Sequence, residues 1–272
     1  MEFKKLASGE KIPVLGLGTW RMGGGMTADY SRDDEYVEAI RYAIKSGITH
    51  IDTAELYGAG HTEDLVGVVI KKFDRKNLFI TTKVSPQHLF LPAQIRRSCE
   101  NSLKRLKTTY IDLYLIHWPN PLAPMKSVMS ALDLLVKEKK IRYIGVSNFS
   151  VSQLQNAQKY TKNKIVTNQV HYSLLHRDPE DKLLEFCQKE NVILTAYTPL
   201  ETGELAHGNE ALKKVAKKYK KTPAQVALRW LIEKPNVIII PKASSKEHID
   251  ELMGALGWKM EREDQDYLSE SF

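Results

Sequence analysis

The feature that most constrains this chain is a unit that recurs eight times: a short, apolar, β-branched run, a break, and then a stretch of helical period. The runs lie near Leu15–Gly18, Ile48–Asp52, Leu78–Val84, Ile111–His117, Tyr143–Ser147, Val166–Tyr172, Val192–Tyr197 and Val237–Pro241. Runs this uniformly apolar need cover on both faces, as strands of a parallel sheet have. Strand and helix in strict alternation predict such a sheet. Eight strands close most economically into an α/β (β/α)8 TIM barrel, with an open doubly wound sheet as the alternative.

The punctuation fits. Ser150 with Gln153 forms a capping-box pair, and Asp178–Pro179 and Thr222–Pro223 each place an N-cap before a proline at the first helical position. Gly47 marks the end of the first long helix. Ahead of the repeat, "FKKLASGEKIPVLG" reads as a β-hairpin turning at Ser8–Glu10 and closing the barrel floor. The segment from Thr198 to Asn236 is long enough for two helices, and the acidic tail after Trp258 begins as a helix, so one or two helices are extra to the repeat. With no linker or composition break, residues 1–272 read as a single domain, close to the roughly 250 residues usual for this barrel.

A barrel places its chemistry at the C-terminal ends of its strands. Polar groups gather there: Asp52, Lys83, His117, Ser147–Asn148, Gln169, Tyr197 and Lys242. Burying such groups without partners is costly, so seven on one rim predict a site. The segments that carry them are "LGLGTW", "HIDTAELYG", "TTKV", "LYLIHWP", "GVSNF", "NQVHY", "AYTPL" and "IPKAS". In this order they resemble the aldo-keto reductases, over about Ile12 to Leu252.

The resemblance implies reversible reduction of aldehydes and ketones, with hydride from NADP or NAD bound without a Rossmann fold. It implies a catalytic tetrad of Asp52, Tyr57, Lys83 and His117. A phenol is a poor donor at its ordinary pKa of ~10. The Lys83 ammonium, held by Asp52, is therefore expected to lower Tyr57, a shift of ~2 units needing about 2.7 kcal/mol. His117 would bond the substrate oxygen. By the same resemblance, Tyr197 stacks on the nicotinamide while Ser147, Asn148 and Gln169 bond its carboxamide, with Gly18, Thr19 and Trp20 alongside. Thr198, Pro199 and Leu200 follow the pyrophosphate. Lys242, Ala243, Ser244, Ser245, His248 and Glu251 form the phosphate end, where a helix N-terminus favours an anion. Trp20 and Trp118 would wall the substrate pocket, which a short tail leaves open to small aldehydes and ketones.

Three positions depart from the family's usual phosphate-end pattern: Ala243 replaces serine, His248 arginine and Leu252 asparagine. Histidine is mostly neutral at pH 7 and lacks arginine's bidentate grip, so dual NADP and NAD use is expected.

Other functions find little support. "GLGTWRMG" is no dinucleotide fingerprint, and GxxxxGK[ST], HExxH and GxSxG are absent. No histidine or cysteine spacing suggests a metal; Cys99 and Cys187 read as reduced, packed thiols of a cytoplasmic protein. Lys plus Arg 40 against Asp plus Glu 33 gives +7, but the run Lys213–Lys221 reads as a solvated helix face and not a nucleic-acid site. No run approaches the ~18 apolar residues of a membrane span. The partners expected are a carbonyl or alcohol substrate and a cofactor, with the protein a monomer or weak oligomer. A cofactor-sensing member without turnover and an unrelated phosphate-binding barrel are the rival readings.

Overall fold

The computed structural model describes residues 1–272. Strands β1 (Phe3–Lys5) and β2 (Lys11–Pro13) form the N-terminal antiparallel hairpin, Lys4 opposite Ile12. Eight further strands lie parallel in chain order: β3 (Gly16–Gly18), β4 (His50–Asp52), β5 (Phe79–Val84), β6 (Ile111–Ile116), β7 (Ile141–Ser147), β8 (Ile165–His171), β9 (Ile193–Tyr197) and β10 (Val237–Ile239). Single bridges, Leu15 to Ile239 and Gly18 to Lys242, join the two edges and complete the barrel.

The helices around it are α1 (Asp33–Lys45), α2 (His61–Ile70), α3 (Pro92–Arg105), α4 (Met125–Lys137), α5 (Val151–Gln158) and α6 (Leu183–Lys189). They continue with α7 (Glu204–His207), α8 (Glu210–Tyr219), α9 (Pro223–Glu233), α10 (Lys246–Met253) and α11 (Arg262–Ser271). Capping boxes open α5 at Ser150 and α9 at Thr222, and Gly47 follows α1 at φ 101°. The helix expected to start at Asp178–Pro179 does not. Those residues make only a 3-10 turn, Asp178–Glu180, and α6 begins at Leu183. The turn is tied elsewhere: Glu180 accepts from Tyr172 Oη at 2.6 Å and pairs with Lys234 Nζ at 3.3 Å. Tertiary bonds thus outweigh a local helix-start signal. Between β9 and β10 the one-turn α7 precedes the two helices expected there.

The floor is shut by the hairpin. Leu6 and Ile12 are buried, Lys4 Nζ donates to the Ile232 and Lys234 carbonyls, and Glu10 pairs with Arg142. The tail lies on the flank. Trp230 Nε1 donates to Gln265 O, Leu268 is buried, and Lys218 of the basic run pairs with Glu261 and Asp264. The lysine face expected to be only solvated is therefore partly neutralised by α11. Cys99 and Cys187 are buried thiols, each pushed up to about 12 chiefly by burial. No helix is long and apolar enough to cross a membrane.

Candidate active site

Alternation along a strand sends residues i and i+2 to the same face. His50 and Asp52 on β4, Thr81 and Lys83 on β5, and Thr167 and Gln169 on β8 are polar and almost wholly buried, linked in the barrel interior. At its upper end Lys83 is fully buried, and its Nζ donates to Asp52 Oδ1 at 2.5 Å, Thr53 O at 2.9 Å and Tyr57 Oη at 3.1 Å. Gln169 Nε2 donates to Asp52 Oδ2 at 2.7 Å, so both carboxylate oxygens are satisfied.

Tyr57 follows β4 on a tightly coiled turn. Gly58, Ala59 and Gly60 all have left-handed φ (57°, 53° and 99°), and Gly58 N–H donates to Gly25 O at 2.6 Å. A Cβ at Gly58 would lie 2.4 Å from Gly23 O, so only glycine allows this approach. The Tyr57 ring then meets Trp20 edge-on at 4.8 Å and His117 at 5.7 Å between centroids. The four tetrad residues are brought together.

The electrostatics correct one expectation. Burial raises Tyr57 above the ordinary phenol value of 10, and the Lys83 charge and hydrogen bond only partly offset it. The phenol is therefore fully protonated at neutral pH. Burial also works against the Lys83 ammonium, but Asp52 and Tyr57 outweigh it and hold that amine above its usual value. His117 falls to about 3 through burial and then the Lys83 charge, so it is neutral; its Nδ1 is buried with no partner.

The remaining candidates form two groups on the same rim. Asn148, at φ 62°, accepts from Tyr197 Oη at 3.0 Å and donates to His117 O at 3.2 Å and Ser147 Oγ at 3.0 Å. Buried Thr19 donates through Oγ1 to Asp52 O at 2.9 Å, next to Gly18 on β3 and to half-exposed Trp20. Trp118 is also exposed, while Pro199 is buried between half-buried Thr198 and Leu200. At the second group, exposed Lys242 pairs backbone with Gly18 and has no carboxylate partner, Ser245 caps α10 by accepting from His248 N–H, and His248 is exposed. Ser244 and Glu251 are half-buried; Ala243 and Leu252 turn into the core. Two residues sequence reasoning passed over belong here. Arg21 and Arg32 help burial to pull the Lys242 amine below its usual value, so three cations share this corner. The signal available was an arginine directly after Trp20 in a glycine-rich loop.

The aldo/keto reductase family profile matches residues 14–271. The chain belongs to that family. As an aldo-keto reductase it is an oxidoreductase of a family that acts on carbonyl groups with NAD(P)H. The reductase is 37% identical to methylglyoxal reductase YeaE of Escherichia coli over 88% of this chain and 84% of that protein. It is similar to a thermostable aldo-keto reductase crystallised with the inhibitor epalrestat (TM-score 0.95, 49% identity, 99% of each chain). It also resembles an aldo/keto reductase from Klebsiella pneumoniae in complex with NADP and acetate (TM-score 0.89, 36% identity, 98% of this chain and 93% of that one).

Proposed function

We propose that this reductase converts small aldehydes and ketones, 2-oxoaldehydes among them, to alcohols, with Tyr57 as proton donor. The observation that carries this is the run of contacts from Asp52 through Lys83 to the Tyr57 hydroxyl at 3.1 Å. Neutral His117 cannot be the acid at pH 7 but can donate one hydrogen bond to a substrate oxygen, which leaves the proton to Tyr57. A phenol held protonated suits this role. The alkoxide formed on hydride addition is far more basic than a phenolate, so the transfer runs downhill without a lowered tyrosine. Lys83 then faces the phenolate it has to stabilise.

NAD(P)H when bound supplies the hydride. The residues present fit it. Arg21 and Lys242 have no acidic partner and would hold phosphate together with Ser244, Ser245, His248 and the Ala243 backbone, with Glu251 further along α10 facing the rest of the nucleotide. Tyr197 offers a half-buried ring for the nicotinamide, with Ser147, Asn148 and Gln169 beside it and Gly18, Thr19 and Trp20 along one edge. Thr198, Pro199 and Leu200 would follow the pyrophosphate. The Klebsiella relative was solved with NADP, and the missing guanidinium at His248 supports additional use of NAD.

The substrate reading draws on the Escherichia coli relative's name and on walls of Trp20 and Trp118 with the tail on the barrel flank. We take the chain as a single-domain cytoplasmic enzyme, monomeric or weakly associating, without nucleic-acid or membrane partners. Following NADPH and NADH absorbance with methylglyoxal, aryl aldehydes and ketones tests the proposal. Carbonyl-dependent oxidation is expected; its absence across the panel overturns the reading, and an NADPH preference above a thousand-fold rejects dual use.

A further inference from the structure

Beyond the tetrad, one carboxylate lies where a dinucleotide site should not tolerate it. Glu201 directly follows Thr198–Leu200, the segment assigned above to the pyrophosphate, and a free carboxylate there would repel an anion. Its side chain is only 17% exposed. Oε1 accepts from His171 Nε2 at 2.7 Å and from Ser173 Oγ at 2.5 Å. Ser173 Oγ in turn accepts the Leu175 and His176 backbone N–H groups at 3.1 and 2.9 Å, so the clamp is rooted in the loop after β8.

The His171 imidazole so fixed is a middle layer. His171 and Tyr197 are register partners on β8 and β9, and their rings stack at 5.5 Å and 12°. On its other side His176 stacks at 4.0 Å and 9°. The segment being held is strained: Thr198, Glu201 and Thr202 are non-glycine residues at φ 53°, 47° and 52°, followed by Gly203 at 108°. Strain of this kind persists only where surrounding contacts over-determine it. The hydrogen bonds that do so here are the side-chain bonds of Glu201, with backbone turns from Glu201 N–H to Thr198 O and from the Gly203 and Leu205 N–H groups to Leu200 O.

We infer that Glu201 is a positioning residue for the dinucleotide: clamped by His171 and Ser173, it holds Thr198–Leu200 in place, braces the Tyr197 ring from behind and turns its own charge away from the phosphates. The inference rests on the cofactor reading above. It places a determinant of cofactor affinity outside the contact set.

Fluorescence titration of the cofactor-free protein with NADPH tests this, comparing Glu201→Ala with Glu201→Gln. Both remove the charge, but only glutamine keeps an oxygen for His171 and Ser173. Alanine is expected to weaken NADPH binding about tenfold relative to glutamine, with faster backbone amide exchange across 198–203 and a higher KM for NADPH but not for the aldehyde. A misfolded fraction would lower active enzyme and leave both KM values in place. His171→Phe keeps a stacking ring but gives Glu201 no donor, and should weaken binding to a similar degree. Equal affinity of the two Glu201 variants within twofold overturns the inference. So does native affinity in His171→Phe, which decides the matter if Glu201→Ala does not fold. Failure of the wild type to bind NADPH would instead sink the cofactor reading itself.

Discussion

Gln169 on the sixth barrel strand reaches across the lumen to Asp52 on the second, Nε2 to Oδ2 at 2.7 Å. A residue assigned to the nicotinamide is thereby joined to the ion pair that faces Tyr57. Replacing it with leucine leaves one oxygen of a buried carboxylate without a donor, which raises the Asp52 pKa. The acidic limb of the kcat profile should then move to higher pH in Gln169→Leu, with kcat down about tenfold, the cost of one lost charge-assisted bond. An unmoved limb would show that the two residues act separately.

Tyr57→Phe keeps the ring against Trp20 and His117 but deletes the donor. Positioned acids contribute about 10²–10⁴-fold, so kcat should fall by that range while NADPH titration stays close to wild type. Turnover within a few-fold of wild type would remove Tyr57 from the chemistry.

Lys83 and Asp52 form a buried pair, 0% and 2% exposed. Lys83→Met strands a buried carboxylate and should cost about 3–5 kcal/mol in denaturant unfolding. Adding Asp52→Asn removes the stranded charge, so the double variant should be more stable than Lys83→Met alone. Simple additivity of the two losses would contradict the pairing.

His50 and His117 both sit near pKa 3 in the fold against an ordinary 6.5, burial being the main cause and Lys83 the next. Below 6.5 the unfolded chain therefore binds protons that the native state refuses. Their contribution is complete above pH 6.5 and is lost as pH falls from there toward 3. At about pH 4.5 each residue accounts for about 2–3 kcal/mol of that loss. Melting His50→Leu against wild type from neutral to acid should show a shallower decline by this amount in the variant.

The fifth expectation concerns the phosphate end. His248 is exposed at the first turn of α10, near the Lys242 corner. His248→Arg should raise the NADPH-over-NADH ratio of kcat/KM by about tenfold or more, the scale of one charge-assisted phosphate contact. An unchanged ratio would mean that Arg21 or Arg32 already supplies the grip.

How much of this was readable beforehand differs by level. The strands were, because near-uniform apolar runs such as Leu78–Val84 have few alternatives to a doubly covered sheet, and observed β5 begins one residue later. Asp52, Lys83 and His117 stood out as polar residues at the ends of such runs, whereas Tyr57 came only from the family resemblance; the structure places the four side by side. The helix start at Asp178 was not readable, because Tyr172 and Lys234 claim Glu180 through contacts that exist only after folding. The sign of the Tyr57 shift was missed for a related reason: the Lys83 charge could be read from the chain, whereas the burial that outweighs it depends on tertiary packing, with Trp20 and His117 against the ring. The Glu201 clamp joins residues 28 and 30 positions apart with no motif to announce it.

The hairpin beneath the barrel divides the lumen into two unlike ends. Leu6 and Ile12 are buried under it and Lys4 is tied to the end of α9, so the lower mouth is plugged by apolar packing. The charged groups, Asp52 and Lys83 with Tyr57 beside them, sit at the opposite mouth, where the strands finish.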